Sequence, residues 1–137
     1  MPVVFRILPE HGLIRVRYSG TAGMDETLRA MDACANHPDF RPHFRHLVDF
    51  RAIDAIDADY PAFLAIQARA IDQLLPQDIA PFVIYLADSP LSQKAARMAM
   101  RSWEGVTSIV AMILEDESAA FELLGVTGQS LDPLGAG

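Results

Sequence analysis

The sequence predicts an α/β fold in the order β-β-α-β-α-β-α-β-α: an N-terminal antiparallel hairpin joined to a mainly parallel sheet of about five strands, covered by four helices. Three observations lead there. Near-continuous apolar runs such as Phe82-Val83-Ile84-Tyr85-Leu86 alternate with helical periodicity, the pattern of parallel strands buried on both faces. The turn-forming cluster Pro9-Glu10-His11-Gly12 separates two β-rich runs at hairpin spacing. The length of 137 residues, 51% hydrophobic and 21% charged, is enough for one core and too short for two.

The hairpin strands are Val3 to Leu8 and Leu13 to Tyr18. In the second, Ile14, Val16 and Tyr18 alternate with Arg15 and Arg17, so one side is expected to pack and the other to be wet. After Gly20 the period changes. Gly23 can cap a first helix, Asp25 and Glu26 favour its first turn, Leu28, Met31 and Cys34 or Ala35 recur at helical spacing, and His37-Pro38 ends it. Leu47 to Phe50 is a short strand, and Asp57 or Asp59 caps a second helix with Pro61 in its first turn, running through Phe63, Leu64, Ile66, Ala70, Ile71, Leu74 and Leu75. Phe82 to Leu86 is the next strand, and Asp88-Ser89-Pro90 opens a third helix with Leu91, Ala95, Met98 and Ser102 on one face. Val106 to Leu114 is the last strand, and Glu115-Asp116-Glu117 opens the last helix, with Ala120, Phe121 and Leu124. Residues 1–126 thus read as a single domain, and residues 127–137 as an irregular tail rich in Gly, Ser and Pro.

Eleven basic against 18 acidic side chains give a formal charge of -7, which disfavours nucleic acid as a partner. The single Cys34 has no partner for a disulfide or a paired-cysteine metal site, so a reducing compartment is expected. No basic-then-apolar leader and no stretch of about 18 apolar residues occurs, and the expectation is a soluble, cytoplasmic protein without a membrane span.

Two local stretches carry a family resemblance. Pro38-Asp39-Phe40-Arg41-Pro42 precedes the strand ending Leu47-Val48-Asp49, and Ala95-Ala96-Arg97-Met98 lies early in the third helix. Both resemble runs recurring in uncharacterised bacterial members of the SpoIIAA-like superfamily, the fold of STAS domains and of STAS/SEC14-like proteins; the resemblance covers roughly Val3 to Val126. It implies this fold and a regulatory, non-enzymatic role. In anti-sigma-factor antagonists of the STAS type, a segment similar to DLSGVxFIDSSG ends in a serine that a kinase phosphorylates. Laid without a gap on Asp49 to Tyr60, it agrees at Asp49, Ile56 and Asp57, but its serines become Ala58 and Asp59 and its glycine Tyr60. The position Asp57, Ala58, Asp59 thus has no hydroxyl to phosphorylate. Asp59 is either a fixed negative charge that imitates the modified state or, more simply, a helix N-cap.

Other candidate chemistry is sparse. Ligands of open α/β sheets gather beyond the carboxyl ends of the parallel strands. That rim would carry Asp49, Asp54, Asp57, Asp59, Asp88, Glu115, Asp116 and Glu117; Asp49, Asp88 and Glu115 are its leading members, as a cation site or, for Asp49 with Asp57 or Asp88, an acid-rim enzyme. Capping and helix dipoles explain most of these acids without either. His43 and His46 point apart if extended, so His43 reads as a loop residue and His46 as a satisfied strand residue, with no metal or cofactor expected. Cys34 reads as core. Arg6, Arg15 and Arg17 form a basic row on the hairpin, either a solvated face or a site for an anion or a partner's acidic patch. No nucleophile elbow, phosphate loop or dinucleotide fingerprint is present. The partner is therefore expected to be a protein or a second copy of the chain. The alternative is a small apolar ligand in a pocket between the sheet and the second and third helices, lined by Phe63, Ile66, Met98 and Trp103, as in the lipid-transfer lobes this outline resembles.

Overall fold

A computed structural model describes residues 3–41, 43–57, 61, 65, 68, 82–102 and 110–125. Five strands form one sheet in the spatial order β1-β2-β3-β4-β5: β1 (Val3–Leu8), β2 (Leu13–Gly23), β3 (Arg45–Asp57), β4 (Phe82–Leu86) and β5 (Val110–Leu114). β1 and β2 pair antiparallel and every later neighbour is parallel, as the hairpin and the apolar runs predict. Three described helices are α1 (Met24–Ala35), α2 (Pro90–Ser102) and α3 (Glu117–Leu124). Of the second predicted helix only Pro61, Ala65 and Ala68 are described, all helical and exposed; Phe63, Ile66 and Asp59 lie outside the described residues, as do Ala58, Trp103, residues 106–109 of the last predicted strand and the tail beyond Gly125.

β2 and β3 are longer than expected, at 11 and 13 residues. Beyond Asp49 and Leu86, where β3 and β4 stop pairing, Ser19–Gly23 and Ala52–Asp57 continue as a two-stranded parallel ribbon. Between Arg17 and Ser19 the partner strand advances from Asp49 to Ala52, and between Gly20 and Thr21 it advances from Ile53 to Ala55. Each is a bulge that inserts one extra residue into β3 and bends it. Gly20 takes φ +65 at the second bulge, a left-handed conformation that a side chain would strain. The sequence predicts a strand ending at Tyr18; β2 instead runs on to Gly23, with the left-handed Gly20 inside it.

Helix starts follow their capping chemistry. Ser89 Oγ accepts from the Ser92 backbone N–H at 3.1 Å, while Ser92 Oγ lies 2.9 Å from the Ser89 backbone N–H, so the two serines close the first turn of α2 reciprocally, with Pro90 just inside it. Asp116 accepts from Ala119 N–H at 2.8 Å at the start of α3, and Gly125 ends that helix at φ 72.

The two faces of the sheet differ. On one, Tyr18, Phe50, Ile53, Val83 and Tyr85 pack against Ala95, Ala96 and Ala99 of α2, and beside them Ile14 and Phe44 pack with Cys34 of α1. The buried stripe of α2 is Ser92, Ala95, Ala96 and Ala99; Met98, expected on it, is half-buried and joins none of the buried apolar clusters. On the other face Leu13, Leu47, Ile84 and Leu86 pack against Ala120 and Leu124 of α3.

Candidate functional site

The first bulge of β3 creates the most elaborate polar arrangement among the described residues. The Arg51 backbone N–H donates to Asp49 Oδ1 at 2.9 Å. The same bend brings the Arg51 guanidinium back over Asp49, with Nε on Oδ1 at 3.0 Å and Nη2 on Oδ2 at 2.9 Å, a two-point fork. Asp49 is 2% exposed. Burial by itself raises its carboxyl, but the Arg51 hydrogen bonds and charge, with Arg17 adding to them, more than offset that and hold it below the ordinary carboxylate range. The hydrogen bond that Arg51 donates to Asp49, ahead of the opposing effect of burial, pushes Arg51 upward in turn.

Glu117, the first residue of α3, completes the arrangement. Its Oε1 accepts from Arg51 Nη2 at 2.5 Å and from Arg15 Nη2 at 2.7 Å, so two guanidiniums converge on one carboxylate oxygen. One helical turn later, Phe121 lies under the Arg15 guanidinium, 5.5 Å from its ring centroid. Arg15 is thereby enclosed, 3% exposed, and its Nη1 is buried with no hydrogen-bond partner among the described residues. An unsatisfied buried donor costs about 1–3 kcal/mol, more for a charged group. At the other end of α3, Arg45 donates from Nη1 to Leu124 O at 2.9 Å and from Nη2 to His11 O at 2.8 Å, joining the end of the helix to the hairpin turn.

This corrects the reading of the basic row. Arg6 is exposed and Arg17 half-buried, but Arg15 is not on a wet side, because α3 covers it. The expected acidic rim separates as well. Asp49 lies mid-strand under α3, whereas Asp57 ends the β3 ribbon in an exposed position and Asp88 and Glu115 are exposed beyond β4 and β5. Asp116 is a cap and Glu117 an ion-pair partner. Among the described residues no three His, Cys, Asp or Glu side chains are grouped to hold a metal ion.

Cys34 is buried against Ile14 and Phe44, and burial pushes its thiol up to about 11, the state of an unreactive core residue. Tyr18 Oη lies 2.9 Å from Thr27 Oγ1, whose proton goes to Gly23 O at 2.7 Å; Tyr18 therefore donates, and the chain of bonds ties α1 to the end of β2. Burial raises this phenol to about 12. His43 is an exposed turn residue. His46, expected to be satisfied, has a buried Nε2 without a partner among the described residues, and burial lowers the imidazole to about 4, so it is neutral at pH 7.

The sequence reading missed Arg51 altogether and gave Glu117 only a rim position. Neither has a local signal, since Arg51 was placed beyond the end of its strand and Glu117 meets Arg15 across a separation of 102 residues.

No protein-family model matches the chain, and a search of curated proteins gives no match. Solved structures do match. An uncharacterised protein of the DUF3478 family with a SpoIIAA-like fold, from Shewanella loihica PV-4, is 13% identical, with a TM-score of 0.57 over 89% of this chain and 93% of that one. The anti-sigma factor antagonist SpoIIAA in its unphosphorylated form is 12% identical, with a TM-score of 0.52 over 90% of this chain and 99% of that one. Element order, a mixed sheet with one antiparallel edge, and these two superpositions together establish that the chain has a SpoIIAA-like, STAS-like fold.

Proposed function

We propose that the chain is a non-enzymatic regulatory module that acts through protein contact, with a second copy of itself as the partner at its β5 edge. The observation that carries this reading is β5 itself. Val110–Leu114 is apolar throughout, yet none of its residues is buried and Val110 is 54% exposed. It ends the sheet, so its outer backbone groups have no strand neighbour among the described residues. Such an edge is a template for pairing. Two identical edges related by a two-fold axis run antiparallel and satisfy each other, each covering the other's apolar side chains. Light scattering on a sizing column is the test: the wild type is expected to elute as a dimer and Val110→Lys as a monomer, while a wild-type monomer at high concentration overturns the reading.

The regulatory position in this reading is Asp57, Ala58 and Asp59, where Asp59 supplies a fixed charge in place of a phosphorylatable serine. Pull-downs with wild type, Asp59→Ser and Asp59→Ala test it. A partner set that changes with the charge supports the role; the same set for all three leaves Asp59 as a helix cap.

His46 favours a second reading, a small apolar ligand between the sheet and the α1–α2 side. His46 pairs in register with Ile14 and Val83, both on that side, and its buried Nε2 would meet the one polar atom of such a ligand. Native mass spectrometry of the purified chain is expected to show a bound small molecule that His46→Phe loses; an empty wild type removes this reading.

A further inference from the structure

We propose that Arg15 and Arg51 form a binding site for a phosphate dianion, which the carboxylate of Glu117 closes in the structure described. Two guanidiniums from neighbouring strands meet at a single point, now held by Glu117 Oε1 at 2.7 and 2.5 Å. One carboxylate oxygen leaves the pair incompletely served: Arg15 Nη1 is buried and has no acceptor among the described residues. A phosphate group has enough oxygens to take both Nη1 and Nη2 of Arg15 as a fork while still accepting from Arg51 Nη2, and it brings two negative charges where Glu117 brings one.

The surroundings suit this exchange. The site lies at the N-terminus of α3, where the helix dipole favours an anion. Asp49 does not compete for Arg15, because both of its oxygens are committed to Arg51, where it acts as a positioning residue. The way in is beside Glu117 and Arg51, whose side chains are 31% and 26% exposed. Glu117 can turn outward without unwinding the helix, since the cap of α3 is Asp116.

Glu117→Gln is the decisive variant, because it keeps the side chain's shape and removes the competing charge. Inorganic phosphate and glycerol phosphate are titrated calorimetrically into the full chain at constant ionic strength, with chloride in the reference. Glu117→Gln is expected to bind phosphate about tenfold more tightly than wild type, a gain of about 1.4 kcal/mol. Arg15→Lys is expected to lose binding about tenfold because an ammonium cannot reproduce the fork; Arg51→Lys gives the same reading if Arg15→Lys does not fold. Tighter binding of the ester than of the free ion assigns the site to a phosphate monoester, and the reverse assigns it to free phosphate. Arg29→Gln removes an exposed arginine on α1 and is expected to change nothing. The proposal is overturned if Glu117→Gln binds neither probe more tightly than wild type, or if Arg29→Gln loses as much as Arg15→Lys.

Discussion

The two faces of the sheet solve the same problem with different chemistry. The α1–α2 face is closed by aromatic and small residues: Phe50 stacks on Tyr85 with ring centroids 5.8 Å apart and tilts against Tyr18 at 4.9 Å, and alanines of α2 let the helix approach closely. The α3 face is apolar where the strands begin but ionic around Arg15, Asp49, Arg51 and Glu117. Apolar packing is stabilising in nearly any arrangement that fills space. A buried ionic network is not, since desolvation offsets most of its attraction unless each group is hydrogen-bonded in one geometry. The first face thus holds the fold together and the second specifies where one short helix sits.

The largest expected effect breaks the apolar face. Phe50→Ala should cost about 3–5 kcal/mol through lost burial and the cavity left under Tyr18 and Tyr85, read as a lower urea midpoint. If it costs no more than a surface substitution, the aromatic stack is not what closes that face. On the opposite side, Asp49→Asn strands the Arg51 fork and should cost about 3 kcal/mol. This loss should vanish when Arg51→Leu is added, whereas a double variant as unstable as the sum would show that the two residues act separately.

Acid separates the faces. The His46 pKa in the folded state is about 4, below the ordinary 6.5, so between those values the unfolded chain takes up a proton that the folded chain refuses. The His46 contribution should therefore be constant above pH 6.5 and cost about 3 kcal/mol as pH drops to 4, at about 1.4 kcal/mol per unit. His46→Phe should flatten that slope; a slope unchanged by the substitution assigns it to other groups. Asp49, held below the ordinary carboxylate range, stabilises above that range and is lost only at lower pH still, so the ionic face should fail after the apolar one. The smallest effect concerns α3 alone: Asp116→Ala removes a cap worth about 1 kcal/mol and should speed amide exchange in that helix while sparing β2 and β3.

Much of this was legible in the sequence. Hairpin spacing placed β1 and β2, the unbroken run Phe82 to Leu86 placed β4, and Ser89-Pro90 and Asp116 placed two helix starts. Local chemistry determines each of these. The length of β3 was not legible, because Arg51-Ala52-Ile53-Asp54 has neither an alternating nor an unbroken apolar pattern once two bulges interrupt its register. Arg15 was misread for a related reason. An alternating charged residue marks the wet side of a strand only if nothing later in the chain covers that side, and α3 does so from the far end of the sequence.

The Arg45 staple bears on how the chain folds. One guanidinium holds His11 O, in the turn between β1 and β2, and Leu124 O, at the end of the last described helix. These are contacts of high sequence separation, which form late because loop closure must precede them. During synthesis the hairpin and β3 emerge before α3, so their arginines face solvent until Glu117 and Phe121 follow. Docking of α3 then neutralises charge that the earlier-made hairpin and β3 expose.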